Sequence, residues 1–292
     1  MMDYWENADH SWSEDSQRII LTPNDNNKAM FNYIQEIGYF KAHKPYFTER
    51  ADLPSYLVKY TLSGTGLLLY NGQEHFLKAG DVFFIDCRSY QYYRTESTEP
   101  WEMDWVHFNG ANVPAFYREF LRSGNNVFHT SAPEPLENPL HLIMTQLLHN
   151  QKRPNARTDF ESSVLLHELM NELIIQKYQL NFAETDIPAY ILEMQAYLTT
   201  HFREVVTLDD LEKEFHLNKY QLNKNFSRYI GTPPIEYQIN LKISYAKELL
   251  RLSDLSVQEI ALKSGIDNAS YFSRLFKKKT GLVPVAYRKI GN

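Results

Sequence analysis

The last hundred residues are two copies of one pattern. Leu222, Phe226, Gly231, Pro234 and Tyr237 recur fifty residues later as Phe272, Phe276, Gly281, Pro284 and Tyr287, and Lys224 and Arg274 hold the same place in the repeat. Upstream, Thr207 with Asp210 and Ser256 with Glu259 stand forty-nine residues apart. Both pairs have capping-box spacing, in which a hydroxyl and an acid three residues on each satisfy a backbone N–H at a helix start. The one-residue difference in offset falls in a turn, where an insertion costs least. Each copy therefore predicts a short helix, a turn and a second helix. Ile235–Leu252, with Tyr245, Leu249 and Leu252 at helical spacing, predicts a rod between the copies. Such a rod of roughly 27 Å compares with ~34 Å for one turn of duplex DNA. A duplicated unit at that spacing can present two helices to successive major grooves.

Charge agrees only when the chain is divided. The whole chain has 30 Lys+Arg, 36 Asp+Glu and a net charge of −6, which by itself argues against a nucleic-acid partner. Residues 1–188 hold 15 basic and 25 acidic residues, whereas 189–292 hold 15 and 11. Between Tyr271 and Lys289 there are six basic residues and no acid. The second helix of copy one carries Lys219, Tyr220, Gln221, Asn223, Lys224 and Arg228. That of copy two carries Asn268, Ala269, Ser270, Ser273, Arg274, Lys277 and Lys278. Amides and guanidinium groups read base edges, while lysines and hydroxyls hold phosphates. These residues are the expected contacts to double-stranded DNA.

The first half reads differently. Residues 1–30 form a polar arm, and from Tyr56 to Phe108 short aromatic and β-branched runs alternate with turn signals. Asn71-Gly72 between two apolar runs predicts a tight hairpin, because both central residues must accept positive φ. Closely spaced strands of this kind imply a barrel or sandwich over residues 31–135. A helical segment follows over 136–180, with a helix near Leu136–Gln151 and another opened by a capping box at Thr158–Glu161. The apolar stripe of that second helix, Leu165, Leu169 and Leu173, is a candidate homodimer surface or else packs on its own barrel. Residues 181–187 read as a linker, and Pro188 opens the helical domain that runs to 292. The fold class is thus multi-domain α+β, an N-terminal barrel with flanking helices and a C-terminal all-α domain.

Several functions are excluded. One cysteine, Cys87, forms no intramolecular disulfide and no Cys-rich zinc site; it reads as a half-buried strand residue. No basic-then-apolar leader and no membrane-length apolar run is present, so the expected location is cytoplasmic. No catalytic triad or cofactor motif occurs.

Ile260-Ala261, Gly265, Ser270-Tyr271-Phe272, Arg274, Phe276-Lys277, Gly281, Pro284 and Tyr287-Arg288 resemble the signature of the AraC/XylS family of bacterial transcription regulators. The resemblance implies direct-repeat DNA half-sites read by Tyr220, Gln221, Asn223 and Lys224 and by Ala269, Ser270, Ser273 and Arg274. Departures fall mostly in copy one, where Glu212 replaces a small alanine and His216 the turn glycine; copy two has Ile266 for Phe and Val283 for Ser or Thr. Ser63-Gly64-Thr65-Gly66, Lys78-Ala79-Gly80-Asp81 and Trp101 to Gly110 resemble the family's cupin-like sugar-sensing domain. That implies a mono- or oligosaccharide effector met by Arg50 (before the first barrel strand), Tyr93 and Trp105, with Met103 where the sugar-responsive relative has a histidine. By strand alternation His107 shares the face of Trp105, and packed barrel residues are the competing reading of both. Metal is not implied, since Gln91 stands at a cupin ligand position and no His-x-His occurs. The resemblance further implies an activator, a homodimer and contact with RNA polymerase. The alternative is a cupin-type sugar-binding protein or isomerase whose helical repeat is an interaction module.

Overall fold

The computed structural model describes residues 4–131, 134–180 and 182–290. The chain divides into two compact units, Met1–Asn181 and Phe182–Asn292.

The first unit is a two-sheet β-sandwich with helices on one side. Its strands are β1 (Trp5–Asp9), β2 (Gln17–Ile20), β3 (Tyr33–Ala42), β4 (Phe47–Ala51), β5 (Tyr56–Ser63), β6 (Thr65–Tyr70), β7 (Gln73–Lys78), β8 (Asp81–Asp86), β9 (Gln91–Thr95), β10 (Trp101–Asn109) and β11 (Val127–His129). One sheet has the order β1-β4-β9-β6-β7 and the other β11-β8-β5-β10-β3-β2. The expected hairpin joins β6 to β7, with φ of 50° at Asn71 and 74° at Gly72 and Tyr70 opposite Gln73. The stretch read as an arm instead supplies β1 and β2, which pair with β4 and β3, followed by a short helix, α1 (Asp25–Met30).

Helices α2 (Val113–Phe120), α3 (Pro139–Lys152) and α4 (Thr158–Lys177) cover the outer face of the six-stranded sheet. That explains the unbroken apolar runs of β5, β8 and β10, which are buried on both faces. On β10, Val106 and Phe108 point under the helices, whereas Met103 and Trp105 point into the sandwich. One expectation about α4 is corrected here, and of the two readings of its apolar stripe the packed one describes the structure. Thr158 is its first residue and makes no cap; its hydroxyl accepts from the Asn155 backbone N–H instead. The stripe Leu165, Leu169 and Leu173 is no free surface: Leu169 and Leu173 are fully buried in the core beneath the sheet, with Leu165 packed against it. The exposed large apolar residues of α4 are Phe160 and Val164.

The second unit contains α5 (Ala189–Thr200), α6 (Leu208–Phe215), α7 (Lys219–Ile230), α8 (Pro234–Leu252), α9 (Val257–Lys263), α10 (Ala269–Thr280) and α11 (Pro284–Ile290). Both reciprocal capping boxes are present, Thr207 with Asp210 and Ser256 with Glu259. The repeat extends from the sequence to the packing. Leu222 and Phe226 are buried in one core, Phe272 and Phe276 in the other. Phe226 meets Tyr237 edge-on at 5.6 Å, and Phe276 meets Tyr287 edge-on at 5.4 Å.

Helix α8 joins the two copies through buried polar groups. Lys242 Nζ donates to the Glu204 carbonyl (2.9 Å) and to the Gly265 carbonyl (2.8 Å). Gln238 donates to the carbonyls of His201 and Glu204. The loop that precedes α6 and the turn of copy two are thus both tied to one helix.

Candidate functional site

The first surface is the outer face of α7 and α10. An amphipathic helix with Leu222 and Phe226 inward must turn Tyr220, Gln221, Lys224 and Arg228 outward, and all four are exposed. On α10 the same phase exposes Ser270, Arg274, Lys277 and Lys278, with Ala269 and Ser273 half-buried. Asn223 is half-buried beside Lys224. No acidic residue lies on either helix.

Two expected contacts have local duties. Asn268 is the N-cap of α10, its carboxamide oxygen accepting from Tyr271 N–H at 2.8 Å. Lys219 pairs with Asp209 of α6 at 2.5 Å and its backbone N–H donates to Glu212. Glu212, a departure from the family pattern, therefore caps the start of α7. His216, the other departure, takes φ of 52° at the end of α6, a left-handed conformation that histidine tolerates better than most residues.

The second surface is inside the sandwich. Arg50 lies on β4 itself, not before the first strand, opposite Glu6 of β1 and Gln91 of β9. Its guanidinium donates to Glu6 (Nη1, 3.1 Å), to the Tyr93 hydroxyl (Nη2, 2.6 Å) and to His107 Nε2 (2.7 Å). Arginine only donates, so His107 Nε2 accepts and its Nδ1 carries the proton toward Ser55 Oγ at 3.1 Å. Burial, with the Arg50 and Lys59 charges, holds His107 well below its ordinary value, consistent with that neutral tautomer. Trp105 lies against Gly38, where any Cβ would come within 2.6 Å of the indole, and tilts onto Phe40 at 4.9 Å.

Arg50, Trp105 and His107 line one small cavity of about 30 Å³, whose wall also includes Glu6, His10 and Trp12 of the N-terminal segment. Tyr93 adjoins it through Arg50. Met103 does not reach it: fully buried, it packs one step deeper in the sandwich core. Larger grooves of about 630 and 660 Å³ lie along the outside of α4, but the orphaned buried donors of the first unit, Arg50 Nε and Trp105 Nε1, belong to the inner cavity. Gln91 donates to the carbonyls of Cys87 and Ser89. Cys87 is fully buried in a turn, not half-buried in a strand, and burial pushes its thiol up to about 12.

Sequence reasoning missed Lys59. It is buried at 2% exposure, 3.8 Å over the Tyr93 ring and 5.1 Å from that of Trp101. Burial, then the Arg50 charge, holds its amine well below the ordinary lysine value. The available signal was its place in Tyr56–Leu62, an isolated charge in an otherwise apolar strand.

A sensing barrel followed by two helix–turn–helix copies defines a DNA-binding regulator with an attached ligand-binding domain. Residues 33–174 match the AraC-like ligand binding domain and residues 211–290 a helix-turn-helix domain. The chain belongs to the AraC family of transcription regulators and is not an enzyme. The MmsAB operon regulatory protein of Pseudomonas aeruginosa is 25% identical over 264 residues, which cover 88% of this chain and 82% of that protein. The HTH-type transcriptional activator RhaS of Salmonella arizonae is 25% identical over 224 residues, covering 76% and 80%. The crystal structure of the DNA-binding domain of AdpA with a target DNA is 25% identical, covering 34% of this chain and 90% of that one, with a TM-score of 0.33. Among the described residues, no helix is long and apolar enough to cross a membrane.

Proposed function

We propose that the chain is a cytoplasmic, sequence-specific activator that reads direct-repeat half-sites with α7 and α10 and responds to a sugar-type effector held in the sandwich. The observation that carries this is the matched pair of acid-free helices, each exposing amide, hydroxyl and basic groups over an identical buried Phe–Tyr contact. Base reading is assigned to Gln221, Asn223, Ser273 and Arg274, and phosphate contact to Lys224, Arg228, Lys277 and Lys278.

The effector reading rests on the inner cavity. Its volume of about 30 Å³ is that of roughly one water, far below the 300 Å³ or more that a small-molecule site needs. Glu6, His10 and Trp12 form part of its wall, so the N-terminal segment is the proposed moving element. An effector shifts such an equilibrium only by binding one arrangement more tightly than the other. A homodimer that contacts RNA polymerase completes the proposal, with exposed Phe160 and Val164 of α4 offered for self-association.

The test is a pair of substitutions measured on one selected duplex. Arg274→Ala is expected to weaken specific binding by about 1–3 kcal/mol and to relax preference at one base position. Lys278→Ala is expected to weaken all sequences alike and to lower the salt slope by about 1. Unchanged affinity in Arg274→Ala would contradict the base-reading role.

A further inference from the structure

Two buried donors at the inner cavity have no acceptor among the described residues. Arg50 is 5% exposed and keeps Nε without a partner; Trp105 is 4% exposed and keeps Nε1 without one. Both line the same cavity. Behind them Lys59 makes one long hydrogen bond, 3.4 Å to the Tyr46 hydroxyl, and among the described residues it meets no carboxylate. The two carboxylates at the cavity are each already matched, Glu36 to Arg18 at 2.9 Å and Glu6 to Arg50 at 3.1 Å. Neutral hydroxyls would serve these donors only in part, whereas an oxyanion accepts from several at once.

Glu6 shows how. Its carboxylate is the one acid that reaches Arg50, and its side chain remains 26% exposed while that of Arg50 is 6% exposed. The acid can swing out to water, but the guanidinium cannot follow it and would be left buried without its counter-charge unless another anion took that place. The carboxylate also accepts from the Tyr4 hydroxyl at 2.6 Å, so one oxygen adds a side-chain tie to the β1–β4 ladder that holds the N-terminal segment on the sandwich.

We propose that the effector carries a carboxylate, as a hydroxylated sugar acid does, and that Glu6 holds its place until the effector displaces it from Arg50 and frees β1. This deepens the effector reading above and rests on it. The neutral sugar is then the weaker ligand, and the N-terminal strand competes directly with the effector for one guanidinium.

The experiment uses the full chain and its Glu6→Ala and Glu6→Gln variants. Sodium acetate is expected to raise the melting temperature of Glu6→Ala saturably, where equal sodium chloride does not, with little effect on the unchanged protein. Galacturonate is expected to alter Trp fluorescence at lower concentration than galactose, and Glu6→Gln to bind it on the order of tenfold more tightly. Lys59→Met is expected to weaken that binding while the variant still melts cooperatively. Lack of an acetate-specific shift in Glu6→Ala overturns the place-holder. Galactose bound as well as galacturonate, or glucose 6-phosphate bound better, overturns the carboxylate while leaving the sensor standing. No response to any of the three sugars, with no acetate effect, overturns both readings together.

Discussion

Replacing Gly265 with alanine is expected to destabilise the second unit by about 4 kcal/mol or more, in the range that only a few mechanisms reach. Gly265 sits in the turn after α9 with φ of 71° and a backbone carbonyl that accepts from Lys242. A Cβ there would lie 1.8 Å from the Arg203 carbonyl oxygen and 2.5 Å from its carbon. The left-handed conformation alone costs a side chain of order 1–3 kcal/mol, and the clash is with backbone, which has no rotamer to move. Relief would push the second turn away from the loop that Lys242 and Gln238 hold, and so change the spacing of α7 and α10. Far-UV circular dichroism during denaturation follows the helices of both units, so the transition of the second unit is the part not shared with tryptophan fluorescence. All four tryptophans (Trp5, Trp12, Trp101 and Trp105) precede residue 182, so their fluorescence follows the sandwich separately. An unshifted helical midpoint would show that this turn does not hold the copies in place.

Phe276→Ala is expected to cost about 3–5 kcal/mol, the usual loss for emptying a buried aromatic site. Phe276 is fully buried among Phe272, Tyr287 and Ile260. Phe272 and Phe276 are the buried residues of α10, whose outer face is polar and whose last turn carries Lys277, Lys278 and Lys279. Phe276→Leu keeps most of the apolar volume and is expected to lose far less, under about 1.5 kcal/mol. Because each copy has its own core, Phe276→Ala should erase one half-site from a footprint and leave the other. The matching Phe226→Ala should erase the opposite half. Loss of both half-sites from either substitution alone would mean that the copies fold as one unit.

The repeat was legible because its signals are local. Capping boxes, Gly231, Gly281, and prolines at helix starts act within a few residues, and a fifty-residue period repeats them. The capping box at Thr158 misled for the same reason: the spacing is right, but the Asn155 turn places Thr158 inside the helix. Strands β1 and β2 were illegible in Trp5–Asp9 and Gln17–Ile20, which lack alternation; pairing with β4 and β3 makes them strands. Leu165, Leu169 and Leu173 showed an apolar face, and no periodicity says which surface covers such a face. Trp105 and His107 were legible by alternation on one strand, and Arg50 and Tyr93 by resemblance. Lys59 and Glu6 were not. Their meaning depends on two sheets closing over one another, at separations along the chain that no local pattern encodes.

The central claim is that two helices of one chain read DNA at two places one turn apart. Selection of a random duplex library with the full chain tests it most directly. Two short preferred blocks in the same orientation, about 10 bp apart centre to centre, with affinity falling steeply as salt rises, are the expected result. A pool without enrichment, or a single block whose binding ignores salt, would contradict it.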